Sequence, residues 1–368
     1  MPGLRDKLIG SLFPGSGRIN RPGLGAVLLL GAGLLLAGCE LAGWNNPYPA
    51  SQRGQNIFYS SFSERPKHLD PVRSYSSNEY AFLGQIYEPP LQYHYLKRPY
   101  ELVPLTAAAL PEVRYFDAAG RPLPPDAGAD AIAYSDYLIH IKPGIYYQPH
   151  PAFARDARGN YRYLELGEDD LAGIRTLADF PETGTRELLA ADYVYQIKRL
   201  AHPRLNSPIQ GLMNDYITGL EEYARVLASA DAAQQEIAGH KPWLDLRKLP
   251  LAGAEVVDRY TYRVRIKGKY PQFRYWLAMP FFAPMPWEAD RFYSQPGLKA
   301  RNITLDWYPV GTGAYMLTEN NPNRRMVLER NPNFHGSRYP TEGEPGDAGR
   351  GWLDDAGRPL PFIDKVVF

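Results

Sequence analysis

Cysteine is almost absent: Cys39 is the only one in 368 residues. An internal disulfide is therefore impossible, and a zinc site built on several thiolates is excluded. Neither charge sign dominates, with 41 basic and 40 acidic residues. Such a balance disfavours nucleic acid as a partner, because phosphate binding needs clustered Lys and Arg. No G-x-S-x-G elbow, H-E-x-x-H pair, G-x-x-x-x-G-K-[ST] loop or EF-hand loop occurs. The histidines His68, His94, His140, His150, His202, His240 and His335 share no i,i+4 spacing, so each reads as an ordinary surface or core residue. The acidic residues Glu342, Glu344, Asp347, Asp354 and Asp355 lack calcium-loop spacing and read as a solvated loop. No metal and no cofactor is expected, and no enzyme activity, although triads assembled in space escape a linear search.

What is present begins with the N-terminus. Arg5, Lys7, Arg18 and Arg21 precede an apolar run, Ala26 to Leu36. That run is too short for a membrane span and has the length of a signal-peptide core. It ends in Leu36-Ala37-Gly38-Cys39, which resembles the bacterial lipobox. The expectation is that residues 1–38 are removed and that Cys39 is lipidated, anchoring the protein to a membrane outside the cytoplasm. The other reading is a short membrane anchor with an incidental cysteine. Residues 39–55 are polar and read as a tether. Without residues 1–38 the chain keeps 37 basic and 39 acidic residues.

Hydrophobic residues make up 44% of the chain, enough for a sizeable core. Tyrosine is abundant, at 27. Tyr supplies rigid contact area with a polar tip, which suits a binding cleft; it also suits β-strands. The patterning predicts a strand at 56–60, a turn at Leu69-Asp70-Pro71 and a helix from Ser77 to Tyr87. Pro89-Pro90 end that helix. Short strands and turns follow to residue 145. Helices are predicted over 187–200, with Asp192 near its start, and over 215–230. Strands are predicted over 254–267, turning at Asp258-Arg259. A hairpin is predicted at 315–328. Asp117 to Pro124 and Asp355 to Pro361 share the string Asp-Ala-(Ala)-Gly-Arg-Pro-Leu-Pro, read as two hairpin tips closed by a glycine. The chain finishes in an apolar strand, 362–368. Further chain is expected beyond it, and an open sheet edge with an uncovered apolar face where it stops.

Several strings taken in order resemble the extracytoplasmic solute-binding proteins of peptide, dipeptide and nickel ABC importers. They are Leu69-Asp70-Pro71, Ile86-Tyr87-Glu88-Pro89-Pro90-Leu91, Leu102 to Ala107, Tyr137 to Ile145 and Leu189 to Tyr195. The most specific runs from Gly311-Thr312-Gly313-Ala314-Tyr315 to Leu328-Glu329-Arg330-Asn331-Pro332-Asn333-Phe334. His140 and Lys142, where Arg is common, and an insertion after Phe334 depart from the pattern. The resemblance implies an α/β (mixed α+β) fold: a type II periplasmic-binding-protein lobe, split into 56–90 and 269–368. A β-rich accessory domain, 91–268, would be inserted in it, and a second lobe would follow Phe368. It further implies a monomer that captures peptides or similar solutes and passes them to a membrane permease. Tyr75, Ser76 and Ser77 would lie along the solute cleft, Ser76 and Ser77 being equally readable as a helix N-cap. Gly311, Thr312 and Gly313 would shape its wall, the two glycines permitting positive φ and close backbone approach, or form only a tight turn entering the Tyr315 strand. A secreted, lipid-anchored hydrolase and an anchored scaffold without solute are the rival readings.

Overall fold

The computed structural model describes residues 50–238 and 241–368. Cys39, residues 1–38 and most of the tether lie outside them.

The first strand, β1 (Ile57–Tyr59), is short. A long turn then leads into helix α1 (Ser77–Ile86). Phe82, Leu83 and Ile86 are spaced three and four apart and bury one side of this helix. Tyr87 leaves the helical region (φ −103°, ψ 141°), as a residue two before Pro89-Pro90 readily does. The hairpin β2 (Leu91–Tyr93) and β3 (Leu102–Pro104) comes next. A five-stranded antiparallel sheet follows, from β4 (Glu112–Phe116), β5 (Pro122–Leu123), β6 (Tyr134–His140), β7 (Ala254–Asp258) and β8 (Thr261–Lys267), in the order β5-β4-β6-β8-β7. At the β4–β5 tip Asp117 accepts the amides of Ala119 and Arg121, and Gly120 sits at φ 74°. Gly357 repeats that φ of 74° in the second copy of the string. A side chain is strained there, and glycine is not.

Between β6 and β7 the chain forms α2 (Ala190–Arg199), α3 (Gln210–Tyr216) and α4 (Leu220–Ala238). The single helix expected over 215–230 is two, because Ile217 is extended and Gly219 takes a positive φ. Helix α2 is buried nearly all round, and Tyr193 stacks on Tyr262 of β8 at 5.1 Å and 5°. Asp192 accepts the Leu189 amide at the helix start while Arg186 bridges Asp192 and Glu288. Three short helices, α5 (Phe273–Trp276), α6 (Trp287–Tyr293) and α7 (Pro296–Lys299), lead back to the first sheet.

That sheet is completed by β9 (Tyr315–Asn321), β10 (Arg325–Arg330) and, after a two-residue ladder of β11 (Ser337–Arg338) with β12 (Pro359–Leu360), by β13 (Lys365–Val367). Its order is β1-β13-β10-β9. The open edge expected at the last strand is not there. Strand β13 is interior, parallel to β1 and antiparallel to β10, and the edges are β1 and β9. The Phe368 ring packs on Phe82 of α1 at 4.5 Å. Residues 55–368 pack as one unit. No helix among the described residues is long and apolar enough to cross a membrane.

Candidate functional site

The turn before α1 is held from beneath by two carboxylates. Asp70 accepts the Val72 amide at 3.1 Å and both terminal nitrogens of Arg199, at 2.7 and 2.9 Å. Arg199 is only 2% exposed, and its Nε reaches Asp290 at 3.1 Å. Burial alone would lower the Arg199 pKa, but Asp70 and Asp290 outweigh it and raise it. Glu79 stands at the third position of α1, where a capping-box glutamate returns to the N-cap amide. Here its carboxylate is diverted to the amides of Lys67 and His68 and to the Ser74 hydroxyl. Burial raises the Glu79 pKa, and those bonds together with the Ser76 hydroxyl more than reverse that, leaving it below the ordinary value.

The result is a rigid turn that ends in an open segment. Ser76 is extended (φ −108°, ψ 151°) and makes no side-chain cap bond to the backbone. No backbone partner within the described chain takes the amides of Tyr75, Ser76 and Ser77. The Tyr75 ring is 72% exposed and leans on Phe281 at 6.0 Å. An extended backbone with free donors, fixed beforehand by buried ion pairs, can add a peptide strand at little ordering cost.

Gly311, Thr312 and Gly313 lie elsewhere, under the C-terminal end of α1. The Gly313 amide donates to the Ile86 carbonyl at 2.9 Å. A Cβ on Gly311 would stand 1.9 Å from that carbonyl oxygen, and one on Gly313 2.5 Å from the Gln85 oxygen. Neither glycine has the positive φ expected of the string. They are glycine because two backbones touch. Thr312 is fully buried and donates to Glu88 at 2.8 Å. Gly313 borders a groove of about 520 Å³ walled by Tyr95, Phe334, Tyr339 and Phe362. Gly84 and Gln85 near the end of α1 border this groove, about 10 Å along the helix from Ser77.

Sequence reasoning grouped the two strings as parts of one cleft; they occupy opposite ends of α1. It passed over His335, which contacts both Glu88 oxygens at 3.0 Å. Partners 247 residues apart leave no local signal. Nor was Arg199 marked as the support of the Asp70 turn. Several tyrosines form an exposed surface beside these features: Tyr93 stacks on Tyr275 at 6.5 Å and meets Tyr100 at 5.6 Å. Among the described residues no group of His, Cys, Asp and Glu is arranged to hold a metal ion.

Residues 183–368, half of the chain, match the family of bacterial extracellular solute-binding proteins, family 5 Middle, and the chain belongs to that family. Among curated proteins it is similar to the periplasmic oligopeptide-binding protein OppA of Salmonella typhimurium, 31% identical over 145 residues, and to OppA of Escherichia coli, 29% identical over 146. Each match covers 39% of this chain and 22% of the relative. Among solved structures, Burkholderia pseudomallei OppA aligns at 16% identity and TM-score 0.47, over 85% of this chain and 42% of that one. The Helicobacter pylori DppA complex with the peptide STSA aligns at 17% and 0.47, over 85% and 42%.

Proposed function

We propose that this protein captures peptides outside the cytoplasmic membrane and delivers them to an ABC permease. The open Tyr75–Ser77 segment, extended at Ser76 and entering α1 at Ser77, carries the reading, since it offers unpaired backbone donors on a support that does not have to reorganise. Family membership and the likeness to oligopeptide-binding proteins support peptides as the solute class. Residues 56–90 and 269–368 act as one lobe, with 91–268 inserted, and a facing wall closes over the bound peptide. Residues 1–38 serve as the export signal, Cys39 carries the lipid anchor and 39–55 form the tether. The protein works as a monomer and without a cofactor.

The test is Ser77→Pro. Ser77 is the first residue of α1, where proline fits, and Ser76 already has the extended conformation that precedes proline. The change deletes one amide donor at the site and leaves the fold alone. Calorimetric titration with a defined peptide mixture should show affinity falling about tenfold, with Tm unchanged and no peptide cleaved in the recovered mixture. Unaltered affinity argues against the segment, and cleavage products argue for the hydrolase reading.

A further inference from the structure

We propose that the groove at the far end of α1 is a second binding site, one that takes a small organic cation: a primary ammonium on an apolar body. Glu88 is 5% exposed and lines this groove. Its oxygens take the Thr312 hydroxyl at 2.8 Å and the His335 ring nitrogen at 3.0 Å, and among the described residues no Lys or Arg pairs with it. A buried carboxylate is costly without a countercharge. Thr312 contributes only a neutral hydroxyl. His335 supplies a charge only when it is protonated. An incoming ammonium supplies one at any neutral pH.

The walls suit the same ligand. Tyr95, Phe334, Tyr339 and Phe362 line the groove, and aromatic faces attract cations. Tyr339 and Phe362 stack at 6.1 Å. Phe362 already carries a cation on its ring, the Arg358 guanidinium 4.7 Å from its centroid, and Asp355 neutralises that charge. The Tyr95 phenol is held above its ordinary pKa by partial burial first and by the Glu88 charge second, so the field of the carboxylate extends into the groove. A volume of about 520 Å³ lies in the range of small-molecule sites. Tyr339 and the ladder beside it belong to the insertion after Phe334, and Phe362 follows just beyond it, so two of the four rings come from this stretch of chain.

The purified protein is titrated with phenethylamine and with Phe-Ala amide, each beside its N-acetyl form. At least one free amine should bind more tightly than about 1 mM, and acetylation should weaken it about tenfold or more. Phenethylamine alone would mark a free amine as the source of the ammonium, and Phe-Ala amide alone a peptide terminus. Glu88→Gln should remove the preference for the free amine. Tyr95→Ala, a change at an exposed ring, should weaken it about fivefold. It decides the matter if Glu88→Gln does not fold. Equal affinity for the acetylated forms, a preference retained in folded Glu88→Gln, or no saturation at millimolar concentration overturns the proposal. Ser77→Pro should leave amine binding unchanged, which keeps this site separable from peptide capture. If Ser77→Pro abolishes it, the amine sits in the peptide site and the proposal fails.

Discussion

Replacing Arg199 by methionine should cost more stability than any other single change of a charged residue near the Asp70 turn. The side chain is buried, makes two bonds to Asp70 at 2.7 and 2.9 Å, and makes a third to Asp290 at 3.1 Å. Methionine fills much of the volume, so the cavity contribution is small. What remains is two carboxylates without their shared cation. Asp290 keeps the Tyr195 hydroxyl and the Trp243 indole N–H, both at 2.8 Å. The Asp70 carboxylate keeps only the Val72 amide. Breaking a buried pair from one side costs about 3–5 kcal/mol. With the usual unfolding entropy per residue, a unit of this size should melt about 5–8 °C lower. Urea unfolding followed by circular dichroism measures the loss, and hydrogen exchange at the Val72 amide should quicken because its acceptor is released. Adding Asp70→Asn to Arg199→Met should recover about 1–2 kcal/mol, since it removes one uncompensated charge. A loss below about 1 kcal/mol for Arg199→Met, the range of surface ion pairs, would refute the reasoning that this turn rests on a buried cation.

Burial lowers the His150 pKa to about 3. Its Nδ1 accepts the Ala152 amide, so the proton sits on Nε2 and is donated to Tyr293. The folded state therefore favours the neutral ring: this contribution is intact above the unfolded value near 6.5 and is lost as pH falls from there toward 3. The slope is up to about 1.4 kcal/mol per pH unit, and Tm measured against pH should be flatter below pH 6 in His150→Gln. Gly311→Ala puts a methyl into the Ile86 carbonyl and should destabilise by about 3 kcal/mol or more, read as a fall in urea midpoint. Mass spectrometry of membrane-extracted protein should find an acylated Cys39 at the N-terminus; a soluble protein starting elsewhere would count against the anchor.

The strands and helices were legible wherever one periodicity ran unbroken, as in α1, whose apolar residues face one side, and in the β7–β8 hairpin, whose turn falls at Asp258 to Thr261. Turn chemistry was equally local: both Asp-to-Gly tips carry the glycine at φ 74°. What could not be read was pairing at long range. Nothing near residue 366 says that it lies between strands from residues 58 and 328, and so its place inside the sheet was missed. The site divided in the same way. The polar character of Tyr75–Ser77 is visible in the string. The free amides there depend on Glu79 turning toward Lys67 and His68, a choice made by tertiary contact. Glycines 311 and 313 were legible as close-approach residues, while the surface they approach was not.

The register of β1 bears on the order in which this molecule can be assembled. Among the described residues it pairs with β13, and Asn56 donates its amide to Asp364, 308 residues away. Contacts of that separation form late, because the loop between them must be closed before they give any return. The antiparallel sheet from β4 to β8 pairs its neighbours at shorter range and has no such wait. During synthesis, the pairing of β1 with β13 must therefore wait until residues 365–367 have emerged. A chain cut anywhere before residue 365 would lack the strand that β1 joins here, and would leave the Phe82 side of α1 without the Phe368 ring that covers it.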